Sequence, residues 1–177
     1  MSDLMYVFKL IVIGPGAVGK TSIINRFVKD EFVLKYKLTI GTDFISKTIE
    51  FKPNKKAKLQ IWDIGGQERF KFLRRSFYDG ANGAFLVFDL SRGHTYKEIK
   101  TWLTEMNQIM DKKIPFILVG NKSDLIEEIG ELIDRNEVEM FVKGEKNIYI
   151  ETSAKTGDNI EEAFIELVNQ MIKVKSI

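Results

Sequence analysis

Apolar residues recur along this chain in two rhythms. Short continuous runs, Val7–Ile13, Ala84-Phe85-Leu86-Val87-Phe88 and Phe116-Ile117-Leu118-Val119, read as strands covered on both faces. Asp43–Phe51 and Lys58–Trp62 read as a hairpin turning at Pro53-Asn54-Lys55, and Asn147–Glu151 as a shorter, edge-like strand. Between these runs lie helical spacings: Ile23-Ile24 to Phe27-Val28, then Ile99, Trp102, Leu103, Met106, Ile109 and Met110. The longest stripe is Ile160, Ala163, Phe164, Leu167, Val168, Met171 and Ile172. Asp158 with Glu161 three residues on reads as a variant capping box for that last helix. Strands alternating with helices predict a doubly wound α/β sheet, in which the hairpin makes one strand antiparallel. No repeat, low-complexity tract or linker interrupts the alternation, so residues 1–177 are expected to form one domain. Ligand loops should lie at the carboxyl ends of the parallel strands.

Composition narrows the function classes. A net charge of +2 points to no nucleic-acid partner. The absence of cysteine excludes disulfides and thiolate metal sites, and fits a reducing cytoplasm. No apolar run approaches the ~18 residues of a membrane span. Met1-Ser2-Asp3-Leu4 has neither the character of a signal peptide nor the glycine that myristoylation requires. The single histidine, His94, reads as a surface or cap residue rather than a metal ligand.

The candidate chemistry starts directly after the first strand. Gly14-Pro15-Gly16-Ala17-Val18-Gly19-Lys20-Thr21 has the spacing G-x-x-x-x-G-K-[ST] between a strand and an amphipathic helix. Its glycines let the backbone aim N–H groups at phosphates, and the helix N-terminus adds partial positive charge there. Lys20 would reach the outer phosphates and Thr21 Oγ1 would ligate Mg²⁺.

A second phosphate element follows the third strand in Trp62-Asp63-Ile64-Gly65-Gly66-Gln67-Glu68. Asp63 can hold Mg²⁺ through a water, Gly66 can approach a γ-phosphate, and Gln67 can orient an attacking water. Thr39, which alone would pass for a strand threonine, could complete the metal shell. Asn121-Lys122-Ser123-Asp124 follows the strand ending near Val119. Asp124 can accept from guanine N1–H and the exocyclic amine, donors that adenine lacks at those positions. The stem of Lys122 can cover the base, and Ala154 N–H in Thr152-Ser153-Ala154-Lys155 can meet the guanine O6.

Taken in order, these motifs resemble the Ras superfamily of small GTPases. The Rab branch is most similar, through Ile40-Gly41-Thr42-Asp43-Phe44, Lys58-Leu59-Gln60-Ile61-Trp62-Asp63, Gln67-Glu68-Arg69-Phe70 and Ser76-Phe77-Tyr78-Asp79-Gly80-Ala81. The resemblance covers essentially the whole chain. It implies a P-loop G domain with a six-stranded, mostly parallel sheet, one antiparallel strand and about five flanking helices. It implies a nucleotide site of Gly14, Gly16, Ala17, Val18, Gly19, Lys20, Thr21, Ser22 and Tyr36, with Phe32 packing against the guanine, Thr39 in switch I and Gly66 in switch II. Asn121, Lys122, Asp124, Leu125, Ser153, Ala154 and Lys155 would surround the base. Thr21, Thr39 and Asp63 would hold Mg²⁺, and Gln67, Lys20 and Thr39 would carry the catalytic roles. Phe44, Trp62 and Phe77 match the aromatic triad that Rab effectors read.

The resemblance therefore implies a GTP/GDP switch that hydrolyses GTP slowly and serves membrane trafficking. Its expected partners are effectors, GTPase-activating proteins and exchange proteins, and its expected state is monomeric. It is expected in the cytoplasm, with peripheral membrane contact as an extension, although the chain carries no C-terminal cysteine for prenylation. The alternative is a guanine-nucleotide-binding signalling or scaffold protein with little or no hydrolysis. Gly65 stands where Rab and Ras proteins usually have alanine, an Arf-like D-x-G-G-Q, and is expected to loosen switch II. Leu38 replaces the usual alanine or proline before Thr39. No arginine reads as a built-in finger; Arg69, Arg74 and Arg75 read as a solvated helix face.

Overall fold

The structure, a computed structural model, describes residues 4–34 and 38–176. Leu4–Ile13 (β1) leads through the glycine loop into Lys20–Lys29 (α1). Thr42–Lys52 (β2) and Lys55–Ile64 (β3) form the hairpin, and a 3₁₀ turn over Glu68–Phe70 precedes Lys71–Tyr78 (α2). Gly83–Asp89 (β4), Gly93–Lys97 (α3), Ile99–Ile109 (α4) and Phe116–Asn121 (β5) follow. Ile126–Ile129 (α5), Arg135–Gly144 (α6), Ile148–Thr152 (β6) and Ile160–Lys175 (α7) complete the chain. Among the described residues five helices have eight residues or more; α3 and α5 are shorter.

The strand order is β2-β3-β1-β4-β5-β6, with β2 antiparallel to β3 and every other pairing parallel. β4 and β5 are buried along their whole length, as continuous apolar runs require. β1 divides its side chains by alternation. Phe8, Leu10 and Val12 join a core beneath α1 and α7, whereas Ile11 and Ile13 join one beneath α2, α3, α4 and α6. In the first core Phe164 stacks on Phe27 at 3.7 Å between ring centroids and meets Phe85 edge-on at 4.7 Å.

Three local expectations change. The hairpin turn is only Pro53 and Asn54, because Lys52 pairs with Lys55 after a register shift. Asn54 takes the left-handed φ of 60° that the tight turn needs, and its N–H donates to Glu50 Oε1 at 3.0 Å. The last helix does not use Asp158 as a cap: Asn159 takes that place with φ 56° and makes no side-chain capping bond. The Asp158 carbonyl instead accepts from Ser153 N–H at 3.1 Å, which closes the 153–158 loop. Helix α6, absent from the periodicity reading, buries only Val138 and Val142 and starts where Asp134 accepts from Asn136 N–H. Two core positions in ten residues make too thin a stripe to detect.

Candidate nucleotide site

The loops that leave the carboxyl ends of β1, β3, β5 and β6 line a cavity of about 510 Å³. Register explains why distant motifs meet there. Val12 pairs with Asp63, and four residues further toward the carboxyl edge Asp89 pairs with Asn121, which pairs with Thr152, so the motifs open in two groups along one edge of the sheet.

At one end of the cavity the lysine of the loop is buried, 6% exposed, and its Nζ donates to the Gly14 and Pro15 carbonyls at 2.8 Å each. Burial pushes the Lys20 ammonium down to about 8; Asp63 opposes that shift, and Arg74 and Arg92 add to it. Three oxygens, from α1, β3 and the loop before β2, converge beside it. Thr21 Oγ1 donates to Asp63 Oδ2 and lies 2.9 Å from Thr39 Oγ1, which itself sits 3.4 Å from Asp63 Oδ2. Burial raises the Asp63 carboxyl, against the pull of Thr21, Lys20 and Thr39, and its Oδ1 is buried without a partner. No cluster of three or more His, Cys, Asp or Glu side chains suited to a metal occurs among the described residues. One carboxylate with an orphaned oxygen and two hydroxyls nevertheless fit a hard cation that completes its shell with water and phosphate oxygens, as Mg²⁺ does. Gly66 closes this end: a Cβ there would stand 2.5 Å from Pro15 C and 2.6 Å from Gly16 N.

At the other end Asn121, 1% exposed, works as a strut. Its Nδ2 donates to the Val18 carbonyl at 3.0 Å, and its Oδ1 accepts from Thr152 Oγ1 at 3.1 Å and Ala154 N–H at 3.3 Å. Ser153, fully buried, donates to Asp124 Oδ1 at 2.6 Å and so orients that carboxylate. Arg26 on α1 holds the Ala154 and Lys155 carbonyls at 2.8 and 2.7 Å.

Sequence reasoning missed the group that ties the two ends together. Asp89, fully buried, pairs with Lys122 Nζ at 2.7 Å and Arg92 Nε at 2.9 Å. These two cations donate to successive loop carbonyls, Arg92 to Gly16 at 3.1 Å and Lys122 to Ala17 at 3.1 Å. Ala17 and Lys122 both hold positive φ, 60° and 68°, a strain typical of functional loops. Burial would raise the Asp89 carboxyl, but hydrogen bonds from Lys122, Ser91 and Arg92 outweigh it and hold the group below its ordinary range.

Of the expected residues, Gly16, Ala17, Gly19, Lys20, Thr21 and Ser22 line the cavity, with Phe32, Thr39, Gly66 and Gln67. Asn121, Lys122, Asp124, Leu125, Ala154 and Lys155 line it too. Gly14, Val18, Asp63 and Ser153 lie behind this lining and act through their neighbours. Tyr36 lies outside the described residues. Asn25 also lines the cavity; its position one helical turn after Thr21 was the available signal.

Phe44, Trp62 and Phe77 form one aromatic row, Phe44 tilted on Trp62 at 5.1 Å between centroids and Phe77 stacked on it at 6.1 Å. The reading of all three arginines after Gln67 as a solvated face is wrong for one of them. Arg69 and Arg75 are exposed, but Arg74 is 1% exposed. It faces Glu105 and Trp102 of α4, residues too distant in sequence for a local pattern to pair with it. Gly65 N–H donates to the Gly41 carbonyl at 2.8 Å.

Residues 9–173 match the sequence profile of the Ras family. The chain is 40% identical over 169 residues to Ras-related protein RABA4a of Arabidopsis thaliana, covering 96% of this chain and 74% of that one. It is 39% identical over 171 residues to Ras-related protein Rab-11A of Dictyostelium discoideum, covering 97% and 78%. Ras-related protein YPT3 of Nicotiana plumbaginifolia is 40% identical over 171 residues, covering 97% and 77%.

Proposed function

The chain belongs to the Ras family and is a Rab-like, GTP-hydrolysing small GTPase, and from that premise we propose how its residues bind the nucleotide, hydrolyse it and report its state. The convergence of Thr21, Thr39 and Asp63 carries the proposal, because it joins the phosphate loop, switch I and the end of β3 in one oxygen cluster.

Bound phosphates would draw Lys20 Nζ away from the Gly14 and Pro15 carbonyls and return its pKa toward the ordinary lysine range. Loop N–H groups would hold the same oxygens. Thr21, Thr39 and Asp63 would hold Mg²⁺, which when bound neutralises phosphate charge. Asp124, oriented by Ser153, would accept from the guanine N1–H and amine, and Ala154 and Lys155 would close over the base. Gln67 at the cavity wall would orient the water that attacks the γ-phosphorus in line, with Lys20 stabilising charge on the phosphoryl oxygens. Loss of the γ-phosphate would remove the anchor of Thr39 and Gly66 and release both switches. The Phe44, Trp62 and Phe77 row borders those switches and would present their state to effectors in membrane trafficking. Activating and exchange proteins would supply the faster hydrolysis and nucleotide release.

The test strips nucleotide from the purified protein, titrates labelled GDP, GTP and ATP with Mg²⁺, and follows phosphate release. Tight GTP and GDP binding with slow release, slower still in Gln67→Leu, is expected. Preference for ATP would overturn the role of Asp124. Tight binding without release would leave a nucleotide-binding scaffold.

A further inference from the structure

Arg74 has no place in the phosphate, metal or base groups, yet it is the largest fully buried side chain among the described residues. Its Nη1 donates to both carboxylate oxygens of Glu105, at 3.2 and 3.0 Å. Its Nη2 donates to the main-chain carbonyl of Gln67 at 3.1 Å. The guanidinium carbon lies 3.9 Å from the centroid of the Trp102 ring, and Nε is buried without a partner. Glu105 is itself held by the Tyr78 hydroxyl at 3.3 Å and faces Lys71 Nζ at 3.8 Å.

A buried guanidinium is costly unless it is paired, and an apolar pair in place of Arg74 and Glu105 together would serve packing equally well. What the guanidinium adds is direction: a rigid planar fork fixes two acceptors relative to each other. Here one acceptor is anchored on α4, and the other is the peptide of Gln67, which has extended φ and ψ of −80° and 137° ahead of the 3₁₀ turn. Holding that carbonyl sets the direction in which the Gln67 side chain leaves the backbone at the cavity wall. We infer that Arg74 is a positioning residue for Gln67: braced by Glu105 and Trp102, it holds the Gln67 main chain in the conformation that hydrolysis uses. The inference rests on the reading that Gln67 orients the attacking water.

Single-turnover hydrolysis of bound GTP is compared for the wild type, Arg74→Met, Gln67→Leu and the double variant, with GDP affinity measured for each. Arg74→Met is expected to slow hydrolysis between about 10- and 100-fold while GDP affinity stays within about twofold, a split that general loosening of the fold would not give. In the Gln67→Leu background the same substitution is expected to change nothing further, as two residues acting through one step require. Equal slowing in both backgrounds, or loss of GDP affinity in step with the rate, overturns the inference while leaving the role of Gln67 standing. A wild-type rate indifferent to Gln67→Leu overturns the reading beneath it, and the inference with it. If Arg74→Met does not fold, Glu105→Gln keeps the shape and removes the charged brace. It is expected to slow hydrolysis only when Gln67 is present, and slowing in both backgrounds would again overturn the inference.

Discussion

A Cβ on residue 65 would stand 2.9 Å from the Thr39 carbonyl oxygen and 3.1 Å from that of Gly41. The glycine expected to loosen switch II is therefore also the position that lets switch I lie against the end of β3. With alanine there, the backbone of residues 39–41 must give way, and overpacking of this kind costs about 1–3 kcal/mol. Thr39 would then move from Thr21 and Asp63. Gly65→Ala is expected to weaken GTP binding by about tenfold and GDP binding much less, which titration with the two labelled nucleotides measures. Equal affinities for both, before and after substitution, would mean that the contact has no part in the closed state.

Asp89 links Lys122 and Arg92 to the phosphate loop, and its depressed carboxyl gives a pH signature. The folded state holds this group ionised below the unfolded value of 3.8, so the unfolded state binds more protons in the acid range. Its stabilising contribution is fully present above about pH 4 and is lost as pH falls through the depressed folded value. Asp89→Asn is expected to cost about 2 kcal/mol at pH 7, with a gap to the wild type that closes in strong acid. Urea titrations of both proteins at pH 7, 5 and 3 measure it; a gap constant with pH would refute the assignment.

Asn121 spends both ends of its amide inside the protein. Asn121→Ala leaves Thr152 Oγ1 and Ala154 N–H without that acceptor in a buried setting, at a cost of about 2 kcal/mol. The melting temperature is expected to fall by roughly 4–8 °C. Nucleotide affinity should fall as well, because the 14–19 loop loses its tie to the base side. Calorimetry with and without GDP separates the two effects, and loss of affinity with unchanged melting would show that Asn121 serves the ligand alone.

The oxygen cluster predicts a metal dependence. In the wild type, chelation of Mg²⁺ is expected to speed GTP release. Asp63→Ala is expected to release GTP about 10–100-fold faster with Mg²⁺ present and to respond little to chelator. A stopped-flow release assay in Mg²⁺ and in EDTA checks this, and an Asp63→Ala protein still fully sensitive to EDTA would move the metal elsewhere.

Phe164, stacked on Phe27 and edge-on to Phe85, joins α7, α1 and β4. Phe164→Ala is expected to cost about 3–5 kcal/mol, read as a lower urea midpoint without a change in m. A smaller loss would mean that the helices collapse into the space.

The phosphate loop was legible in the sequence because its requirements are local. A backbone that presents consecutive N–H groups needs glycines at set spacings, and a strand and helix must flank it. The strands β4 and β5 and helix α7 were legible for a similar reason, since burial on two faces or on one stripe writes itself into neighbouring residues. Helix α6 was not, with only Val138 and Val142 buried and Phe141 packed at the margin of the core. The cap of α7 lies one residue beyond Asp158 because Asn159 begins the helix through its left-handed backbone rather than through a side-chain bond.

Arg74 marks the boundary between the two kinds of knowledge. Its neighbours in sequence are those of an exposed helix, and its fate was settled by Glu105, 31 residues away. Arg92 reaches Gly16 across 76 residues, and Gly65, just past β3, lies against the backbone of Thr39 in the loop before β2. The class of fold and the order of the motifs follow from the residues alone, because periodicity and turn geometry are short-range properties of the chain. Which charges are buried, which carbonyls the cations hold and which glycine is a contact emerge only on folding, because those depend on strand register and helix packing. Register brings Asp89, Asn121 and Thr152 side by side, and nothing within any one of their segments states that they will meet.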